Sequence, residues 1–110
     1  MAYRESTLSL NTTDVSDDYL VIDNDYNIIV DASLNECIIT LPDPNLVIGQ
    51  IFCITIKDLT HSVKVNTVSG LINDSSEFIF TGSIYRAITV QSIGTDYVIL
   101  WSYVITMDGV

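Results

Sequence analysis

The stretch Gly49-Gln50-Ile51-Phe52-Cys53-Ile54-Thr55-Ile56-Lys57-Asp58 decides the reading of the fold. Side chains of an extended strand point alternately to its two faces. Phe52, Ile54 and Ile56 therefore share one face, and Ile51, Cys53, Thr55 and Lys57 share the other. The first face is wholly apolar, while the second turns polar toward its end. This is the pattern of a strand with one face on a core and the other partly in water. Gly49 suits the tight turn that opens the strand, and Asp58 suits the turn that closes it.

The same signature recurs on both sides. Runs at 19–22, 28–31, 37–41, 63–68, 78–81, 85–93 and 97–106 are rich in Val, Ile, Thr, Tyr and Phe, which fit a pleated, half-buried surface. Turn chemistry separates them: Asp23-Asn24-Asp25, Pro42-Asp43-Pro44, Ser69-Gly70, Gly82 and Gly94-Thr95-Asp96. No segment carries a sustained 3.6-residue period with caps, and residues 45–49 allow one helical turn at most. The expectation is an all-β domain, a compact antiparallel β-sandwich or jelly-roll-like arrangement of short strands. Residues 19–110 are read as that single domain. Residues 1–18, dominated by Ser, Thr, Asn and Asp, are read as a polar, flexible leader or linker.

Composition narrows the function classes. A chain of 110 residues buries roughly two-thirds of its unfolded surface, enough for one core without staples. Hydrophobic residues make up 48% and charged residues only 16%, which excludes disorder over most of the length. The mean hydropathy of +0.40 points to apolar surface left over for a partner or another copy. The net charge of −10, with only Arg4, Lys57, Lys64 and Arg86 as cations, argues against nucleic acid and against an anionic membrane surface. Nine of the fourteen acids fall within residues 1–45, so the acidity is weighted to the N-terminal part and serves solvation. The first residues lack the basic and apolar regions of a secretory signal, and no run approaches the ~18 apolar residues of a membrane span. Synthesis in a cytoplasm, with no membrane insertion, is the expectation.

The inventory for chemistry is thin. His61 is the single histidine, which rules out a multi-histidine metal site within one chain. Its setting, Asp58-Leu59-Thr60-His61-Ser62, reads as a turn between strands, and there is no Gly-x-Ser-x-Gly elbow. The carboxylates lie mostly in turns or in the leader, where they hydrate and cap the chain. Asp23-Asn24-Asp25-Tyr26-Asn27 begins like a calcium loop, but Ile28 stands where glycine is needed and Leu34 where the bidentate glutamate is needed. An Asx-rich turn is the better reading. Cys37 and Cys53 each lie in an apolar run and are read as small buried hydrophobes, with a bond between them left open. No enzyme activity, cofactor, catalytic residue or metal ligand is expected.

The closing run 97–106 is different. Strict alternation puts Tyr97, Ile99, Trp101, Tyr103 and Ile105 on one face, and Val98, Leu100, Ser102, Val104 and Thr106 on the other. Both faces are largely apolar, and one small sandwich covers only one of them. The five residues Tyr97, Ile99, Trp101, Tyr103 and Ile105 are accordingly expected in an oligomer interface or in the core.

The order of phrases across the chain is also informative. Ile29-Val30-Asp31-Ala32-Ser33 is followed by Cys37-Ile38-Ile39-Thr40-Leu41-Pro42, the Gly49–Asp58 strand, Val63-Lys64-Val65, Ser69-Gly70-Leu71-Ile72-Asn73, Ala87-Ile88-Thr89-Val90 and Asp96-Tyr97-Val98-Ile99-Leu100-Trp101. This order resembles a small β head domain recurrent in phage tail-fibre proteins and in other viral fibre proteins, including those of giant viruses and virophages. About four-fifths of the chain is covered. The resemblance implies a non-enzymatic viral structural protein on the virion surface. It would be the homotrimeric head of a fibre or spike that contributes to host attachment, with a host-surface receptor or glycan as partner. It carries over no ligand-binding residue. A capsid-associated cement protein without receptor binding and a small carbohydrate-binding sandwich are the alternative readings.

Overall fold

The computed structural model describes residues 11–80 and 85–104. They form nine strands: β1 (Thr12–Val15), β2 (Tyr19–Leu20), β3 (Asn27–Asp31), β4 (Cys37–Leu41), β5 (Ile51–Asp58), β6 (Val63–Thr67), β7 (Phe78–Phe80), β8 (Tyr85–Ser92) and β9 (Tyr97–Val104). A single 3-10 turn at Pro44–Leu46 is the helical content among these residues, and the Asp43 side chain caps it by accepting from the Asn45 amide. No helix of the described residues is long and apolar enough to cross a membrane. The all-β expectation is met.

The strands form two sheets, in the orders β1-β3-β5-β8-β9 and β2-β4-β6-β7. Successive strands from β1 to β6 alternate between the sheets, so the chain winds as three stacked coils. β1, β3 and β5 therefore pair in parallel, and so do β2, β4 and β6. β7, β8 and β9 then close the stack in antiparallel fashion. The expected antiparallel pairing is found for β5-β8-β9 and β6-β7, while the pairs among β1 to β6 are parallel, so both sheets are mixed. The physical reason is connectivity: a hairpin joins only antiparallel neighbours, whereas a crossover through the opposite sheet returns the chain in the same direction.

The inward faces carry the core. Ile28, Val30, Phe52, Ile54, Ile88 and Val90 from the first sheet, with Cys37, Ile39, Leu41, Val63, Val65 and Phe80 from the second, are essentially inaccessible to solvent. Each such side chain contributes about 1.5–3 kcal/mol of transfer free energy. The alternation of buried and half-buried positions read in the Gly49–Asp58 stretch holds along β5 up to Ile56. Both cysteines are free; burial, aided by nearby carboxylates, pushes the Cys37 thiol up from its ordinary range.

Two buried polar groups tie the ends together. Asp25 is 6% exposed, and its carboxylate accepts from Thr13 Oγ1 and the Tyr19 hydroxyl, both at 2.8 Å, and from the Ile22 amide at 2.9 Å. The Asp-rich turn is therefore a clamp that joins β1, β2 and the turn itself. Within the stretch 1–18 read as a leader, the described part includes a paired strand. Thr12–Val15 is an edge strand, held by backbone pairing to β3 and by Asp25, and it is polar because its side chains stay near solvent. Residues 1–10 lie outside the described residues. The second group is Tyr97, whose ring is fully buried and tilted against Phe52 at 6.4 Å, while its hydroxyl donates to the Pro42 carbonyl at 2.7 Å.

Burial, together with the nearby Asp43 charge, raises the Tyr97 phenol well above its ordinary value. Burial and the Asp25 carboxylate also raise that of Tyr19. A raised pKa favours the protonated form in the folded state, so stability is intact below the ordinary tyrosine value of about 10 and falls as pH rises above it. Urea titrations at neutral pH and above pH ~10 are expected to show that loss. Tyr97→Phe is expected to flatten it, while lowering stability at neutral pH by about 0.5–1.5 kcal/mol for the lost hydrogen bond. Asp25→Ala leaves three donors without their acceptor, and the same titration at neutral pH should report a loss of about 2–4 kcal/mol.

Candidate binding site

The residues singled out in the closing run do not share one face. β8 and β9 pair Val90 with Ile99 but Thr89 with Trp101, so Leu100 is an extra residue at a register shift. A bulge of this kind reverses the facing of everything beyond it. Tyr97 and Ile99 point inward, Tyr97 into the core and Ile99 packed against it. Trp101 stands opposite Thr89, turned outward, and is 64% exposed. It shares the outer face with half-buried Val98. Tyr103 lies on β9 opposite Ala87, and Ile105 lies outside the described residues. The outer surface of edge strand β9 thus presents an indole on a strand whose sequence, YVILWSYV, contains no charge.

A second surface escaped the sequence reading. Because the strands alternate in direction, the segments 21–26, 42–50, 68–77 and 93–96 all emerge at the same end of the sandwich. Of the eleven large apolar side chains exposed among the described residues, six lie on these four segments: Ile22, Leu46, Ile48, Val68, Leu71 and Ile93. One lies on a connection at the opposite end, Leu34. Leu46 and Ile48 are 77% and 67% exposed, more than core-edge residues require.

These segments are tied to one another. The Gly49 amide donates to the Ser92 carbonyl at 2.9 Å, and Ser92 Oγ, itself buried, donates to the Pro44 carbonyl at 2.7 Å. Asp96 Oδ1 accepts from the Leu71 amide, Asp43 Oδ1 accepts from Ser69 Oγ, and Asn73 Oδ1 accepts from the Ile99 amide. Gly70 has φ +76°, and a Cβ there would sit 2.2 Å from the Thr95 carbonyl oxygen; only glycine lets these two segments touch. Asn73 and Asp74 also adopt positive φ, which their short polar side chains tolerate. The individual turn residues were legible in the sequence, but their convergence depends on strand direction.

The chemistry-bearing groups are dispersed. His61 sits on the connection between β5 and β6, and its Nδ1 donates to the Ala32 carbonyl at 3.1 Å. Asp58 is held below the usual carboxylate range by hydrogen bonds from Thr60, and Glu36 by Ser62 and Lys64. A shallow depression of about 240 Å³ on the outer face of β1, β3 and β5 is lined by Asp14, Val15, Ser16, Ile29, Asp31 and Lys57, with no histidine beside the serine. Among the described residues no group of three or more His, Cys, Asp and Glu side chains converges.

Comparison with protein-family models, with curated proteins and with solved structures finds no match. Fold and surfaces together define an all-β, two-sheet module with an exposed aromatic on one edge strand and an aliphatic loop end.

The two halves of the closing strand separate by mutation. Trp101→Ala is expected to change the unfolding free energy of the single chain by no more than about 0.5 kcal/mol, because the indole is largely in water. Tyr97→Ala is expected to cost about 3–5 kcal/mol, as for other large buried aromatics. Denaturant melts under dilute conditions, with intrinsic emission of Trp101 typical of a solvated indole, check both.

Proposed function

We propose that the chain is a non-enzymatic structural module of a viral particle, the head domain of a fibre or spike that contributes to host attachment and works as a homotrimer on the virion surface. The observation that carries this reading is Trp101, exposed on the uncharged edge strand β9. An exposed indole on an apolar edge is a liability for an isolated chain and a natural anchor for a contact between copies. The rest of the reading draws on the order of strand and turn phrases, which resembles that of fibre heads. The two-sheet body suits it as well, since it presents loops tied to one another by hydrogen bonds.

Three copies meeting along β9 remove three indoles from water. At roughly 25 cal/mol per Å² of apolar area, each buried indole contributes several kcal/mol before association costs are subtracted. Light scattering coupled to size exclusion is expected to give about 37 kDa, three times the 12.2 kDa chain. The Trp101→Ala chain should shift toward monomer mass. A folded wild-type monomer at micromolar concentration would remove the trimer and weaken the fibre-head reading. Adherence of the protein to capsid protein, with no binding to cells, would favour the cement role instead.

A further inference from the structure

We propose that the loop end of the sandwich is a docking surface for a protein partner whose contact face is apolar at its centre and cationic at its rim; this rests on reading the chain as an attachment module and names the chemistry of what it attaches to. Ile22, Leu46, Ile48, Val68, Leu71 and Ile93 are exposed on four segments that leave the same end of the two sheets. A Cβ placed on Gly94 would meet the Ile48 side chain at 3.8 Å, so the segments 42–50 and 93–96 lie against each other at this end. The hydrogen bonds through Ser92, Asp96 and Asp43 fix these segments before any partner arrives, which lowers the ordering cost of binding. Six large aliphatic side chains exposed at one end of a small fold are uncommon on a surface with no partner.

The charges around this end choose the partner. Asp23, Asp43, Asp74 and Asp96 lie on the same four segments, and no Lys or Arg does. The three described cations sit on the opposite halves of their strands: Lys57 near the end of β5, Lys64 near the start of β6 and Arg86 near the start of β8. A second copy docking through the same end would set one acidic rim against another, with no cation among the described residues of that end to offset it. Anionic lipid headgroups and nucleic acid are repelled by the same charges. A protein surface with exposed aliphatics ringed by Lys and Arg satisfies both the apolar centre and the acidic rim.

The test uses the full chain, isotope-labelled for amide shift mapping, and two short synthetic amphipathic peptides that differ only in charge: one of Leu and Lys, the other of Leu and Glu. The Leu/Lys peptide is expected to bind, to shift amides in segments 21–26, 42–50, 68–77 and 93–96, and to weaken as salt is raised. The combined variant Leu46→Ser, Ile48→Ser, Ile93→Ser should lower that affinity at least about tenfold. Asp23→Asn with Asp74→Asn should reduce both affinity and its salt dependence. Equal binding of the Leu/Glu peptide, shifts confined to the Trp101 face, or no binding at low salt would overturn the proposal. So would flotation with phosphatidylserine vesicles. The oligomer mass keeps this outcome separate from the reading beneath it. The triple serine variant is expected to keep the wild-type mass, and a drop to monomer would show that the loop end is a self-contact and overturn the proposal. Loss of peptide binding with the trimer intact removes only the docking surface.

Discussion

The structure depends on two sheets that share one apolar interior while the chain passes back and forth between them. Each coil delivers one strand to each sheet. Phe52 and Ile54 on β5 face the interior, as do Val63 and Val65 on β6, and the connection between these strands crosses the end of the sandwich. No strand buries its inward side chains against its own sheet. The core therefore forms only when both sheets are in place, which couples elements distant in sequence. This arrangement leaves the outer faces half in water, and it explains why buried and half-buried residues alternate even along parallel strands. In parallel sheets covered on both faces such alternation is absent.

The polar groups that do enter the interior are those that hold the coils in register. Asp25 gathers a hydroxyl from β1, a phenol from β2 and an amide from its own turn. A carboxylate with three donors can stay buried at little net cost. Tyr97 does the same at the other edge of the first sheet. Its backbone pairs with the segment after β6, its ring meets Phe52, and its hydroxyl reaches the segment after β4. Through these two residues the outermost strand of the first sheet at each edge is anchored to loops of the loop end. The loop segments are held by hydrogen bonds from the same residues that pack the edge of the core.

The division of labour on the surface follows from the same geometry. Acidic side chains occur at both ends, but the described cations lie on the halves of their strands away from the aliphatic loops, so among the described residues the loop end carries acids and no Lys or Arg. The outer surface of β9 is uncharged and aromatic instead. The two surfaces therefore differ in chemistry, one uncharged with an exposed indole and the other aliphatic with acidic side chains beside it.

The positions of β2 to β9, and the inward faces of the strands without a bulge, were determined by the sequence alone, because both rest on local period-2 alternation and on turn residues a few positions apart. The run at 37–41 matches β4, and Phe52, Ile54 and Ile56 are buried as their spacing requires. Strand direction was not legible, since the side-chain period is the same for parallel and antiparallel pairing and the difference lies in backbone hydrogen bonds between distant segments. Nor was β1, whose Thr12, Thr13 and Asp14 carry no apolar signal and whose place is fixed by β3 and Asp25. The outward turn of Trp101 depends on one unpaired residue, Leu100, against β8. The loop end, finally, exists only because alternating strand directions bring four separate turns to one side, and no local pattern of residues records where a strand will point once it is paired.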